Sequence, residues 1–160
     1  MITIRPFRDE DAQTLSAIYR RAVQELGPKK YGSEQVAVWA GLEPSPARFT
    51  EIMNDGRCGL VAVDDSDQVV AFGDFERDGH IGFLYASPDV AGTGVVATLY
   101  AALEAKAKSQ DVGKLYSEAS ELAKSFLLKQ GFTVVERRDF EVNGVPIHNF
   151  AVEKRLRAPR

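Results

Sequence analysis

The sequence predicts an α+β fold: a mixed, mostly antiparallel central sheet of about seven strands flanked by helices. Three observations predict it. Residues 12–26 carry apolar side chains at helical spacing. Three short strand-like runs then follow one another between residues 58 and 86, separated by turn signals. Finally, two helical stretches each precede a further strand, and the chain closes on two long strand-like segments around Asn143-Gly144. Hairpin strands joined by late crossover helices define this class.

The elements follow in order. "ITIRPF" (2–7) alternates with period two and reads as a strand. Asp9 is placed to cap the next helix, with Glu10 and Asp11 at its positive end. Ala12, Leu15, Tyr19, Ala22 and Leu26 share one face until Gly27-Pro28 stops the run. "SEQVAVWAGL" reads as a second helix capped by Ser33, and "SPARFTEIMN" as a third that tolerates Pro46 in its first turn. "CGLVAV" (58–63), "VVAFGDF" (69–75) and "HIGFLYA" (80–86) read as strands, joined by "DDSDQ" and by a tight turn at Asp78-Gly79. From Gly94 the period returns to 3.6, with Val95, Leu99, Leu103 and Ala107 on one face and Gly113 closing the helix. "KLYSEA" is a strand, "ELAKSFLLKQG" a helix ending at Gly131, and "FTVVERRDFEV" and "VPIHNFAVEKRL" flank the Asn143-Gly144 hairpin signal.

Composition narrows the function. The 160 residues suit one domain and bury enough surface to need no staples. A net charge of −3 argues against a nucleic-acid or anionic-membrane partner. The single cysteine, Cys58, excludes an internal disulfide and reads as an inert core thiol. "MITIRPFRDED" has no apolar leader core, and no stretch approaches ~18 apolar residues, so a cytoplasmic location is expected. The basic tail "KRLRAPR" reads as a solvated end. Two histidines 68 positions apart and one cysteine give no metal-ligand spacing.

The junction "LYASPDVAGTGVVATLY" (84–100) hands a strand to a helix through Ala91-Gly92-Thr93-Gly94. Glycine permits positive φ and close approach, and a helix N-terminus offers free N–H groups and partial positive charge. Together they make an anion cradle without a charged side chain, although a plain strand-to-helix turn uses the same residues. The segment resembles the acetyl-CoA loop of the GNAT N-acetyltransferases. The resemblance covers nearly the whole chain. It includes "ITIRPFRDEDA", "FLYASPDVAGTGVVATLYAALEAKAK", and "EASELAKSFLLKQGF", which is similar to the family's second cofactor segment. It implies a single GNAT domain over 1–160, the GNAT acyl-CoA N-acyltransferase fold with splayed fourth and fifth strands, and a bacterial-type enzyme. The family's Gln/Arg-x-x-Gly-x-Gly/Ala pattern falls on Ala91, Gly94 and Val96, and keeps only the middle glycine. Thr93 stands where relatives often carry Lys or Arg. A main-chain cradle over 91–96, including Val95, is still expected to hold acetyl-CoA.

The resemblance also implies a site. Main-chain amides from Leu84, Tyr85 and Ala86 are expected to face the thioester carbonyl. His80 opens the same strand, where some relatives place a catalytic glutamate. It is the base candidate, or else a surface histidine after a turn. The family's usual tyrosine falls on Leu127, leaving Tyr116, Tyr85 and Glu118 as candidate acids. Ser120 falls where relatives often face the cofactor with an asparagine; Glu118 and Ser120 equally suit helix capping. Tyr31 and Trp39 are candidate acceptor-wall residues, or core. Asp74 and Glu76 are candidates to attract a cationic amine, or solvated strand positions. His148 reads as structural.

The expected activity is transfer of an acetyl group from acetyl-CoA to a primary amine, small molecule or peptide, by direct attack in a ternary complex, since no activated nucleophile is visible. The alternative is a catalytically degenerate CoA-binding sensor or interaction module. Homodimers are common in the family, but nothing in the sequence fixes an interface.

Overall fold

The computed structural model describes residues 1–157, so the last three residues of the basic tail lie outside it. The described elements follow the expected order. They are β1 (Thr3–Pro6), α1 (Ala12–Leu26), α2 (Ser33–Ala40), α3 (Pro46–Met53), β2 (Cys58–Val63), β3 (Val69–Phe75), β4 (Leu84–Ala86), α4 (Val95–Ser109), β5 (Lys114–Ala119), α5 (Glu121–Lys129), β6 (Thr133–Val142) and β7 (Val145–Arg155). The strands form two antiparallel sheets, ordered β1-β2-β3-β4 and β5-β7-β6. Among the described residues one parallel bridge, between His80 and Tyr116, joins them.

Strand alternation feeds two cores. Leu60 and Ala62 of β2 pack with Leu99, Leu103 and Leu127 on the α4–α5 side. Val61 and Val63 pack with Leu15, Val23 and Phe49 on the α1–α3 side. β6 stays exposed along nearly its whole length. Its charged run Glu136-Arg137-Arg138-Asp139 guards that open edge against pairing with another chain. Among the described residues no helix is long and apolar enough to cross a membrane.

Several local expectations are corrected. Asp9 does not cap α1. It belongs to a 3-10 turn, and its carboxylate accepts from Asn54 at 2.9 Å. Asp11 stands at the α1 N-cap without a side-chain cap bond; its carboxylate closes the 3-10 turn, taking the Arg8 N–H at 2.8 Å and both terminal nitrogens of Arg5 at 2.8 and 2.9 Å. The N-cap of α2 is Gly32, whose N–H donates to Gln35, and Ser33 is already helical. Ser45 caps α3 through the Arg48 N–H, with Pro46 at the first helical position as expected. α4 ends at Ser109, before Gly113; Asp111 is the residue that takes the left-handed turn, with φ 58°. The run 80–86 is not one strand, because only Leu84–Ala86 ladders with β3.

That last difference creates the site. The turn after β3 closes through Gly79, whose N–H donates to the Glu76 carbonyl. Gly79 has φ 98°, and a Cβ there would lie 1.9 Å from the Lys114 carbonyl oxygen, so only glycine lets this turn press against β5. Tyr116 N–H then donates to Gly79 at 3.1 Å, and Ile81 N–H donates to Tyr116 at 2.8 Å. The Ser117 hydroxyl makes a last stitch to the Ile81 carbonyl at 2.8 Å. Beyond Ile81 no backbone bond joins β4 to β5 among the described residues, and the strands part.

Candidate active site

The parting strands open a cleft of about 510 Å³, within the roughly 300–1,000 Å³ usual for small-molecule sites. One side is formed by the loop before α4, the start of α4, and α5. The other is aromatic and apolar, built by α1, α2, β4 and the β6–β7 hairpin.

Ladder phase decides what β4 offers. Asp74 N–H donates to the Phe83 carbonyl, and Ser87 N–H donates to the Val70 carbonyl. In an antiparallel ladder this places Phe83, Tyr85 and Ser87 in the bonded phase towards β3. The main-chain groups of Leu84 and Ala86 therefore point the other way, into the gap. Tyr85 turns its main chain to β3, so its amide does not join them. Its ring lines the aromatic side, 4.9 Å from the Tyr19 ring and 5.8 Å from Phe72. Burial pushes its phenol up to about 12, against hydrogen bonding from Trp39 and Tyr19.

The glycine turn has the geometry of an open cradle. Gly92 has φ 76° and Gly94, the N-cap of α4, φ 87°. A Cβ at either position would meet nothing within 4 Å. Ala91 and Thr93 spend their N–H groups on the Pro88 and Val90 carbonyls. Gly92 and Gly94 have no such backbone acceptor among the described bonds, and Val95, Val96 and Ala97 are the first three helical residues, whose N–H groups have no partner inside the helix. Ala91, Val95 and Val96 line the cleft; Thr93 does not, and its hydroxyl donates to the Val90 carbonyl at 2.6 Å. Arg21 braces the approach to this loop by pairing with Asp89 at 3.0 Å.

The titratable groups gather where β4 meets β5. His80 sits between two carboxylates, with Nδ1 2.5 Å from Glu76 Oε2 and Nε2 2.7 Å from Glu118 Oε1. Burial by itself would lower its pKa, but the hydrogen bonds and charges of Glu118 and Glu76 prevail and the net shift is upward. Glu118 lines the cleft. Glu76 opens on a second groove, on whose wall Asp55, Arg57 and Asp78 also lie. The Tyr116 ring packs against His80 with centroids 5.0 Å apart, but its hydroxyl donates to Asp78 at 2.5 Å and lies outside the cleft. That bond to Asp78, with some burial, pushes its pKa to about 12.

Other expected residues take different places. Asp74 does not face the cleft. It is fully buried, paired with Arg57 at 2.8 Å, and accepts the Phe83 N–H at 2.7 Å. Burial pushes its pKa up to about 6 against the opposing pull of Arg57. Glu76 is likewise turned to His80 and Arg57. Ser120 lines the cleft, but its hydroxyl accepts the Ala123 N–H at 3.1 Å as the N-cap of α5. Tyr31 and Trp39 both line the aromatic side and pack 5.5 Å apart. The Tyr31 hydroxyl accepts the Glu121 N–H and donates to the His148 carbonyl, both at 3.0 Å, tying the early helices to α5 and β7.

Tyr19, Phe83, Leu42, Phe140 and His148 also line the cleft and were not expected there. One signal was available for Phe83: it shares strand parity with Tyr85. Among the described residues no group of three or more His, Cys, Asp or Glu is arranged to hold a metal.

A sheet splayed after one short bridge, with a glycine turn opening a helix at its mouth, defines the acyl-CoA N-acyltransferase fold. The family described as the acetyltransferase (GNAT) domain matches residues 28–154. The chain is 30% identical over 149 residues to YafP, an uncharacterized N-acetyltransferase of Escherichia coli, with 93% of each chain covered. It is 25% identical over 154 residues to an uncharacterized N-acetyltransferase of Mycobacterium tuberculosis, covering 91% of this chain and 98% of the relative. A crystal structure of a GCN5-related N-acetyltransferase from Rhodopseudomonas palustris superposes with a TM-score of 0.87 at 30% identity, covering 96% and 94% of the two chains. The PaiA N-acetyltransferase of Thermoplasma acidophilum, solved in complex with coenzyme A, shares the fold with a TM-score of 0.77 at 21% identity, covering 97% and 99%. This chain belongs to the GNAT acetyltransferase family and is an acyltransferase.

Proposed function

We propose that the protein is a single-domain N-acetyltransferase that moves the acetyl group of acetyl-CoA to a primary amine by direct attack in a ternary complex. The observation that carries this reading is the gap itself: Leu84 and Ala86, the β4 positions in the non-bonded phase of the ladder with β3, face an open cleft whose mouth is an unfilled glycine cradle. The PaiA relative with bound coenzyme A has the same fold, and a phosphinothricin acetyltransferase from Sinorhizobium meliloti was solved with acetyl-CoA.

The residues present fit that co-substrate. The free N–H groups at Gly92, Gly94, Val95, Val96 and Ala97 would hold its phosphates, aided by the α4 dipole. The Leu84 and Ala86 amides would polarise its carbonyl. When bound it supplies the acetyl thioester and, since an alkyl thiol ionises near ~8.5, a leaving group that departs without an obligatory acid.

The chain's own task is to take up a proton. Glu118 lines the cleft and would accept it from the acceptor ammonium. His80 would pass it on, from its Nε2 side at Glu118 to its Nδ1 side at Glu76 and the outer groove. Asp74, Arg57 and Tyr116 position this relay without facing the cleft.

The experiment is a thermal melt with acetyl-CoA, followed by thiol release across an amine panel. A bound co-substrate raises stability by mass action, about 2.7 kcal/mol at a hundredfold excess over Kd. No shift at millimolar acetyl-CoA overturns the proposal. A shift without thiol release assigns the chain to the sensor class instead.

A further inference from the structure

We infer that the acceptor is a small monoamine with an apolar, aromatic-sized body and no carboxylate. This rests on the acetyltransferase reading above and adds the acceptor class.

Charge is the first argument. Among the described residues lining the cleft, Glu118 is the only carboxylate, and there is no lysine or arginine. A buried charge needs a partner. One carboxylate matches one ammonium, so a diamine would leave its second charge unpaired. With no lysine or arginine on the wall, an amino acid would meet no fixed cation for its carboxylate.

Hydrogen-bond capacity is the second. Three hydroxyl protons on the cleft wall are already used inside the protein. Tyr19 donates to the Trp39 carbonyl at 3.0 Å, Tyr31 to the His148 carbonyl at 3.0 Å, and Ser117 to the Ile81 carbonyl at 2.8 Å. The same commitment argues against a peptide, whose backbone groups need partners along their length.

Surface is the third. Tyr31, Trp39, Phe83 and Tyr85 present rings on the aromatic side. Leu42 and Phe140 stand at its rim 56% and 37% exposed, and both belong to the cleft wall. Large apolar groups left in water beside a cleft mark where an apolar ligand enters.

The sequence has one tryptophan, Trp39, and it lines the cleft. Its fluorescence therefore reports acceptor binding without any turnover. Phenethylamine, putrescine and phenylalanine should be titrated against the protein, then compared as acceptors by thiol release from acetyl-CoA. Phenethylamine is expected to change the Trp39 emission saturably and to exceed both others in kcat/KM by at least about tenfold. Phe140→Glu adds a second carboxylate at an exposed position, and is expected to shift the putrescine-to-phenethylamine ratio about tenfold towards putrescine, with an unchanged melt. Preference for putrescine or phenylalanine, or a Trp39 signal indifferent to phenethylamine, overturns the inference. A Trp39 response with no turnover of any amine supports the acceptor class while sinking the acetyltransferase reading.

Discussion

His80 Nε2 lies 2.7 Å from Glu118 Oε1, linking the turn after β3 to β5 across 38 residues of sequence, beside the bridge after which the sheet divides. One ring thus touches the carboxylate that lines the cleft and, through Nδ1, a carboxylate on the outer groove.

Replacing His80 by Gln should cut turnover by about 100-fold, the low end for general acid–base catalysis. The loss should be largest above the raised His80 pKa, where the neutral ring can take up a proton, and should shrink towards acidic pH, where the ring is already protonated. The acetyl-CoA KM should be unchanged. A pH series of kcat with both proteins checks this, and an unaltered profile removes His80 from the relay.

The same substitution has a stability signature with a fixed sign. A histidine whose folded pKa is raised above 6.5 contributes stability that is complete below pH 6.5 and disappears as the pH climbs through the folded value. His80→Gln should therefore cost about 1 kcal/mol at pH 6 and close to nothing at pH 9. Paired melts at the two pH values measure it.

Gly94→Val should lose the acetyl-CoA thermal shift and destabilise the apo protein by about 1–2 kcal/mol. The φ of 87° is strained for any side chain, and a branched one would project into the cradle now open to ligand. A normal shift in this variant would rule out the cradle. Conversely, Ala91→Arg should tighten acetyl-CoA by about tenfold, restoring a charge-assisted contact that the loop lacks. Isothermal titration reads both.

Arg57→Ala should destabilise by about 3 kcal/mol at pH 8, because it strands the buried Asp74 carboxylate. Asp74 has its pKa raised from 3.8 to about 6, so its stabilising contribution is full below pH 3.8 and is lost as the pH rises through about 6. Without the guanidinium the carboxyl holds its proton to still higher pH. The penalty in Arg57→Ala should accordingly shrink towards pH 5. Denaturant midpoints at pH 5 and 8 test it, and equal losses would show that Asp74 is not the stranded group.

Tyr31→Phe removes one hydroxyl but leaves the Glu121 N–H and the His148 carbonyl each short of a partner. A cost of about 1–3 kcal/mol follows from the unsatisfied groups. The ring that lines the cleft remains, so the effect should appear in chemical denaturation before it appears in acceptor KM.

The order of elements was legible in the sequence because periodicity is a local record of which side faces a core. β2, β3 and β5 occupy the expected 58–63, 69–75 and 114–119. Asn143 and Gly144 take the positive φ values, 50° and 79°, that their turn requires. The Gly92 and Gly94 conformations follow from residue type in the same way. The family pattern pointed to the turn at 91–96, which lines the cleft at Ala91, Gly92, Gly94, Val95 and Val96, with one of its three signature positions kept.

What only the tertiary structure decided is which neighbour each side chain met. Alternation places Asp74 and Glu118 on strands, yet it does not say that Arg57 covers the first while the second opens on a cleft. Tyr31 reaches a backbone amide 90 residues away, and no local pattern encodes that distance. Strand separation after Ile81 has the same origin. The turn at Gly79 presses on β5, while ladder bonds to β3 hold Leu84–Ala86 away from it. Hydrogen bonds between distant segments satisfy backbone groups only once the chain has packed, so the cleft and its chemistry belong to the assembled fold.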